Sequence, residues 1–316
     1  MHVKPSENPD LVGKVESRQT LVRYWDRFDE MLSNPPEPVD IEDLTNAFSV
    51  KAATVRKHLR RYIHHFPERL TQIVGFYPDA ETILDLAERQ SGSLTRADNL
   101  LAINRASKRI VDAITKPRHE RFLRMKFSSF MKGDEVCAPV SELIDLLYDD
   151  YTDFVHEADN ALVSIAGRLN EEILMRGLES GGLVRDADFI RSGNNSEADI
   201  LIHQSGGHRR TLFCEVKSYH ARERFLRGLK DIPYREKVGV GFFRDASEFN
   251  PERTKTILTA QPMAVYLPED TLGALHPDSR TSTTAEQNRL YRPLSSFVPD
   301  AVFFRDHGRL PPFKGN

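Results

Sequence analysis

The chain has 316 residues, 39% hydrophobic and 29% charged, with a formal net charge of -3 at pH 7. That length holds two domains or one large one. No apolar run reaches a membrane span of about 20 residues, the first twenty residues carry no apolar signal region, and Cys137 and Cys214 are too few for a disulfide framework or a cysteine zinc site. A cytoplasmic protein without a membrane partner is expected, and a wholly basic nucleic-acid binder is excluded.

Residues 1–18 read as a loose tail, and Asn34-Pro35-Pro36-Glu37-Pro38 is a break. A helix starting near Asp40 would place Ile41, Leu44, Ala47 and Phe48 on one face. A short turn at Ser49-Val50-Lys51 leads to a second helix, from Ala52 to about Ile63, with Val55, Leu59 and Tyr62 inward. Helix, tight turn, helix is the helix-turn-helix pattern, although plain helical packing produces it too. The outward face of the second helix carries Arg56, Lys57, Arg60, Arg61 and His64, a set suited to gripping DNA.

Residues 80–165 predict mostly helix, broken near Ser91-Gly92, Pro117, Gly133 and Pro139. Charge is segregated here. Arg105 to Lys126 holds eight Lys/Arg against two acids, and Asp134 to Asp159 holds nine Asp/Glu and no Lys/Arg. The asymmetry fits a polyanion surface on an acidic protein, and equally two solvated helix faces. An acidic helix over 141–157, with Leu143, Ile144, Leu147, Tyr148 and Tyr151, could pack on a second copy or on the chain's own basic segment.

Past Gly181-Gly182 the periodicity changes to strands over 183–190, 198–203 and 211–219. A helix over 221–232 follows, then a strand over 238–243, a helix over 251–259 and a strand over 263–267. The last forty residues are Ser/Thr/Pro-rich except for an apolar strand expected at 301–304, and residues 278–316 suggest no role of their own. The expected domains are therefore a helix-turn-helix-like region (1–70), a helical connecting or dimerising region (71–160) and an α/β domain (161–316).

The chemistry concentrates in Ala198-Asp199-Ile200-Leu201-Ile202 and Phe213-Cys214-Glu215-Val216-Lys217. Strand residues alternate faces, so Glu215 and Lys217 share one while Leu212, Cys214 and Val216 take the other. A carboxylate and an ammonium inside an apolar strand are costly unless they serve something. Antiparallel pairing would bring Asp199 to Glu215. Mg2+ wants hard oxygen ligands, one or two carboxylates among them, so Asp199, Glu215 and the Val216 carbonyl form a candidate ligand set. Lys217 would orient or deprotonate a water, or offset charge on a phosphorane-like transition state. In the helix expected over 160–178, Leu162, Ile165, Leu169 and Glu172 fall on one stripe, which aims Glu172 at the sheet and Glu171 elsewhere. The bland alternative is an ordinary hairpin with charged surface residues.

The order αβββαβ, with Asp199 on the second strand, Glu215 and Lys217 on the third and Glu172 on the preceding helix, resembles the PD-(D/E)XK nuclease superfamily, of the type II restriction endonuclease kind. The resemblance covers about 161–267, with Ala198 where that superfamily often has proline. It implies a fold class of α/β (α+β): a helical N-terminal region with a helix-turn-helix, then an αβββαβ mixed-sheet nuclease core. It also implies a Mg2+-dependent phosphodiesterase acting on double-stranded DNA, leaving 5′-phosphate and 3′-hydroxyl ends, with Asp199, Glu215, Lys217 and Glu172 catalytic. Arg222-Glu223-Arg224 looks like the Arg-acid-Arg element of restriction endonucleases that read CCGG-type sites, although there the glutamate ligand usually lies further along the chain. Arginine can bond guanine bidentately, glutamate can accept from cytosine, and Arg227 and Lys230 share the exposed side. The leading expectation is a sequence-specific endonuclease of a restriction system acting as a homodimer. The alternatives are a repair or phage-defence nuclease without strict specificity, and a non-catalytic DNA-binding regulator.

Overall fold

The computed structural model describes residues 30–32, 39–48, 51–73, 75–145, 148, 152–192, 198–206, 210–218 and 223–314. The expected tail at 1–18, the break at 34–38 and the tip of the helix–helix turn at 49–50 lie outside them. Contacts divide the chain into two units, Met1–Ala87 with Ser107–Leu162, and Glu88–Ala106 with Val163–Asn316. Among the described residues no helix is long and apolar enough to cross a membrane.

In the first unit, α1 (Ile41–Phe48) and α2 (Ala52–His65) form where the pattern placed them. Asp40 and Asp43 cap α1 reciprocally: the Asp43 N–H donates to Asp40 Oδ1 at 2.8 Å, and the Asp40 N–H to Asp43 Oδ2 at 3.2 Å. This is a capping box built with aspartate. Leu44, Val55, Leu59, Tyr62 and Ile63 are buried, whereas Ala47 is exposed. His58 is buried as well, and desolvation, aided by Arg61 and Lys57, holds its imidazole below the usual range. Helix α3 (Ala80–Ser91) ends at the expected break, but α4 (Leu100–Lys126) runs through Pro117. A helix this long loses one hydrogen bond to proline and keeps the others. Gly133 turns a two-residue hairpin, β1 (Met131–Lys132) and β2 (Glu135–Val136). The expected acidic helix is α5 (Val140–Asp145), on which Val140 and Ile144 are exposed; Leu147 and Tyr151 lie outside the described residues.

In the second unit, α6 (Thr152–Ser180) precedes a six-stranded sheet, β3 (Phe189–Arg191), β4 (Ile200–His203), β5 (Thr211–Lys217), β6 (Lys237–Gly241), β7 (Ala264–Leu267) and β8 (Tyr291–Pro293), in that spatial order. The pairs β3–β4 and β4–β5 are antiparallel; β5–β6, β6–β7 and β7–β8 are parallel. With α7 (Glu223–Asp231) between β5 and β6, the order is the αβββαβ read from the sequence. Parallel strands are buried on both faces, and every residue of β6 and β7 is buried. Strand β3 starts later than expected because Asp188 takes the Val184 N–H at 2.8 Å and folds 184–188 into a turn.

Past β7 the structure departs from the sequence reading. Helix α8 (Pro251–Thr259) and strand β7 follow the sequence reading, but the apolar run at 301–304 belongs to a helix, α11 (Phe297–His307), reached through α9 (Glu269–Gly273) and α10 (Pro277–Arg280). Four apolar residues fit either period; Phe297, Val298, Ala301 and Phe304 bury one helical face. The sixth strand is instead β8, which carries Arg292. That side chain is 1% exposed and donates to Asp300 Oδ2 at 2.6 Å and to the Pro311 carbonyl at 3.0 Å. Tyr266 donates to the same Asp300 oxygen at 2.8 Å, and the guanidinium lies 5.2 Å from the centre of the Phe313 ring. Arg292 thus ties the C-terminal segment to the sheet.

Removing one partner of a buried ion pair strands the other. Arg292→Ala should therefore cost about 3–5 kcal/mol in urea unfolding. Arg105→Ala, which breaks an exposed pair with Asp270, should cost less than about 1 kcal/mol.

Candidate metal centre

Asp199, immediately before β4, comes together with Glu215 and Lys217 of β5. The register Ile200↔Cys214, continued one step, sets Asp199 opposite Glu215. Asp199 is fixed at both main-chain groups: its N–H donates to the Cys214 carbonyl and its carbonyl accepts the Ser192 N–H, each at 3.0 Å. Its Oδ2 accepts the Val216 N–H at 2.7 Å. Alternation puts Glu215 and Lys217 on the Asp199 side of the sheet, and Cys214 on the other, where burial pushes its thiol up and leaves it inert.

The Lys217 ammonium lies among three oxygens: Glu215 Oε1 at 2.5 Å, the Val216 carbonyl at 3.0 Å and Asp199 Oδ2 at 3.7 Å. These are the groups read from the sequence as metal ligands. Gathered around one cation already, they fit a hard divalent ion, which takes one or two carboxylates and completes its shell with water and substrate oxygens. Among the described residues no group of three acidic, histidine or cysteine side chains is placed to hold a metal ion; the candidate set here is two carboxylates and a main-chain carbonyl.

Glu215 is the most perturbed member. Its side chain is 7% exposed. Burial pushes its pKa from 4.5 up to about 7, against the pull of Lys217 and with the charges of Asp199 and Asp231 adding to the rise.

Of the two neighbouring helix glutamates, the structure places Glu172 among arginines. Glu172 is buried in an ion network, 2.8 Å from Arg185 and 3.7 Å from Arg176. Arg176 also reaches Glu88 at 3.0 Å, and Arg185 reaches Glu179 at 2.8 Å. Its hydrogen bond with Glu172 raises the Arg185 pKa. Glu171, expected to point elsewhere, feels the charges of Asp199 and Lys217. Burial raises its pKa, and Arg191 opposes this from 2.6 Å. The sequence did hold a signal: Arg176 stands four residues after Glu172, a helical ion-pair spacing. The stripe also leaned on Leu162, whose side chain lies outside the described residues.

The DNA-binding candidates fall on two exposed faces. On α7, Phe225 and Leu229 are buried while Glu223, Arg224, Arg227 and Lys230 are exposed; Arg222 lies outside the described residues. On α2, Arg56, Lys57 and Arg61 are exposed, and Arg60 pairs with Asp79 at 3.3 Å.

No family model matches this chain, and no curated protein sequence matches it. Among solved structures, a chain described as "Restriction endonuclease PspGI-substrate DNA complex" is similar, with a TM-score of 0.45 and 15% sequence identity, over 72% of this chain and 93% of that one.

Glu215 makes the stability of the metal-free protein depend on pH. Its folded pKa is raised above 4.5, so the folded state holds the proton longer than the unfolded state. The contribution is complete below pH 4.5 and lost as pH rises through about 7. Denaturant titrations with EDTA should show wild type losing about 1–3 kcal/mol over that interval, with Glu215→Gln flattening the loss.

Proposed function

We propose that this chain is a Mg2+-dependent, sequence-specific DNA endonuclease of the type II restriction kind, cutting double-stranded DNA to 5′-phosphate and 3′-hydroxyl ends. The observation that carries this reading is the convergence of Asp199 Oδ2, Glu215 Oε1 and the Val216 carbonyl on the ammonium of Lys217, at the end of a largely buried strand.

Asp199, Glu215 and the Val216 carbonyl would hold the ion, which supplies positive charge against the scissile phosphate and acidifies a water. The chain's own groups do the rest. Main-chain bonds fix Asp199, so its carboxylate needs no reorganisation as charge develops. Lys217, released from the oxygens it now bonds, turns its ammonium toward the attacking water or a phosphate oxygen. Glu171 supplies a further carboxylate beside Asp199 and Lys217. Water attacks phosphorus and gives up a proton to solvent, the bond to the 3′ oxygen breaks, and that oxygen takes a proton from solvent and leaves as the hydroxyl.

Arg222, Glu223, Arg224 and Arg227 follow the lysine directly and form the proposed base-reading and phosphate-gripping surface. Arg56, Lys57 and Arg61 on α2 form a second basic face, in the first unit. One such site per chain cuts one strand, so double-strand cleavage calls for a homodimer, whose twofold axis suits a palindromic target.

Plasmid incubated with the protein and Mg2+ should give discrete bands that EDTA abolishes, and Asp199→Ala or Lys217→Ala should reduce cleavage by about 10²-fold or more. A smear would replace sequence specificity with general nuclease action. Intact plasmid under a retained gel shift would remove the enzymatic reading altogether. Between the two helix glutamates, Glu171→Gln should slow cleavage by about 10-fold or more, whereas folded Glu172→Gln should cut like wild type and melt at a lower temperature.

A further inference from the structure

Helix α7 does more than carry arginines on its outside. Its inner side presents Phe225, Gly228 and Leu229, spaced three and four residues apart, and Gly228 lies against the Glu215 carboxyl group. The three atoms nearest to a methyl group built on Gly228 would all lie within 3.0 Å of it, and all belong to that carboxyl group: Oε1, Oε2 and the carbon between them. Glycine is the poorest helix former after proline. Gly228 sits in the middle of a regular helix, where no turn or left-handed backbone calls for it.

A second glycine shows the contrast. Gly239 pairs with Glu215 across β5–β6, and a methyl group there would collide with the Phe225 ring. That ring belongs to the cluster of Leu229, Phe243, Phe249 and Val265. Gly239 therefore clears space for a buried aromatic ring, and Gly228 clears space for a carboxylate.

We propose that Gly228 is the positioning residue for Glu215: the α7 backbone at this point is the wall on which the carboxylate rests, and it sets where Oε1 is offered to the divalent ion. This rests on the reading of Asp199, Glu215 and the Val216 carbonyl as the ion's ligands. The obstacle to a larger residue at 228 is the tip of a flexible side chain, which yields more readily than backbone. An added methyl group therefore displaces the carboxylate and leaves the fold in place.

The test uses the full chain and the loss of the free Mn2+ electron paramagnetic resonance signal on binding, alongside thermal melting. Gly228→Ala should weaken Mn2+ binding tenfold or more while melting within about 2 °C of wild type, whereas Gly239→Ala should lower the melting temperature well beyond that. Shortening the carboxylate relieves the collision, so in a Glu215→Asp background Gly228→Ala should cost less than threefold. Should Gly228→Ala fail to fold, the double variant decides: folding with Mn2+ bound supports the proposal, and failure of both overturns it. Equal costs of Gly228→Ala in the two backgrounds also overturn it, as does wild-type Mn2+ binding by Gly228→Ala while Glu215→Gln binds none. If wild type and Glu215→Gln bind Mn2+ alike, the ligand reading itself fails and takes this inference with it.

Discussion

A carboxylate buried in the middle of a sheet is the constraint on which the rest depends. Glu215 is desolvated between β5 and α7, and an ionised carboxylate there is unfavourable unless a cation answers it. Lys217 answers from the same face, two residues along. Both positions require an unbroken strand through 215–217 and a fixed register with β4. A slip of one residue would send Glu215 to the face of Ile200 and Cys214 and leave Asp199 opposite a hydrophobic side chain.

The sheet changes character at the same strand. On one side β5 pairs antiparallel with β4, and a short connection suffices to bring Asp199 alongside. On the other it pairs parallel with β6, and a parallel connection needs a crossover, here made by a helix. The chain must therefore leave Lys217 through α7, which places basic residues directly after the lysine and a small residue over the carboxylate. The two kinds of pairing meet at the strand that holds the charged pair.

Much of this was legible in the sequence because the periods differ sharply. The αβββαβ order follows from the switch between helical and alternating patterns, and Asp199, Glu215 and Lys217 follow from charges set in apolar strands. The misses have physical reasons. Ala301 to Phe304 is too short a run to distinguish a strand from one buried helical face. An apolar stripe fixes the rotation of α6 only coarsely, so it does not show that Arg176 and Arg185 pair with Glu172. Gly228 looks like a flaw in an amphipathic helix until the carboxylate beneath it is seen. Arg292 gives no sign in one dimension that it will be enclosed, since Asp300, Tyr266 and Pro311 come from separate stretches.

Arg292 also bears on how the protein is made. Its guanidinium is enclosed by Asp300 from α11 and by Pro311 and Phe313 from the segment beyond. The sheet unit includes residues 88–106, and at its far edge the Arg289 N–H donates to the Phe313 carbonyl at 2.8 Å. A nascent chain on the ribosome carries the Asp199–Glu215–Lys217 cluster for roughly another hundred residues of synthesis, at about 5–20 residues per second, before that edge can close. Arg292 therefore cannot reach its final partners until Pro311 and Phe313 have been made. A product lacking Pro311 and Phe313 would leave the Arg292 guanidinium without two of the groups that enclose it.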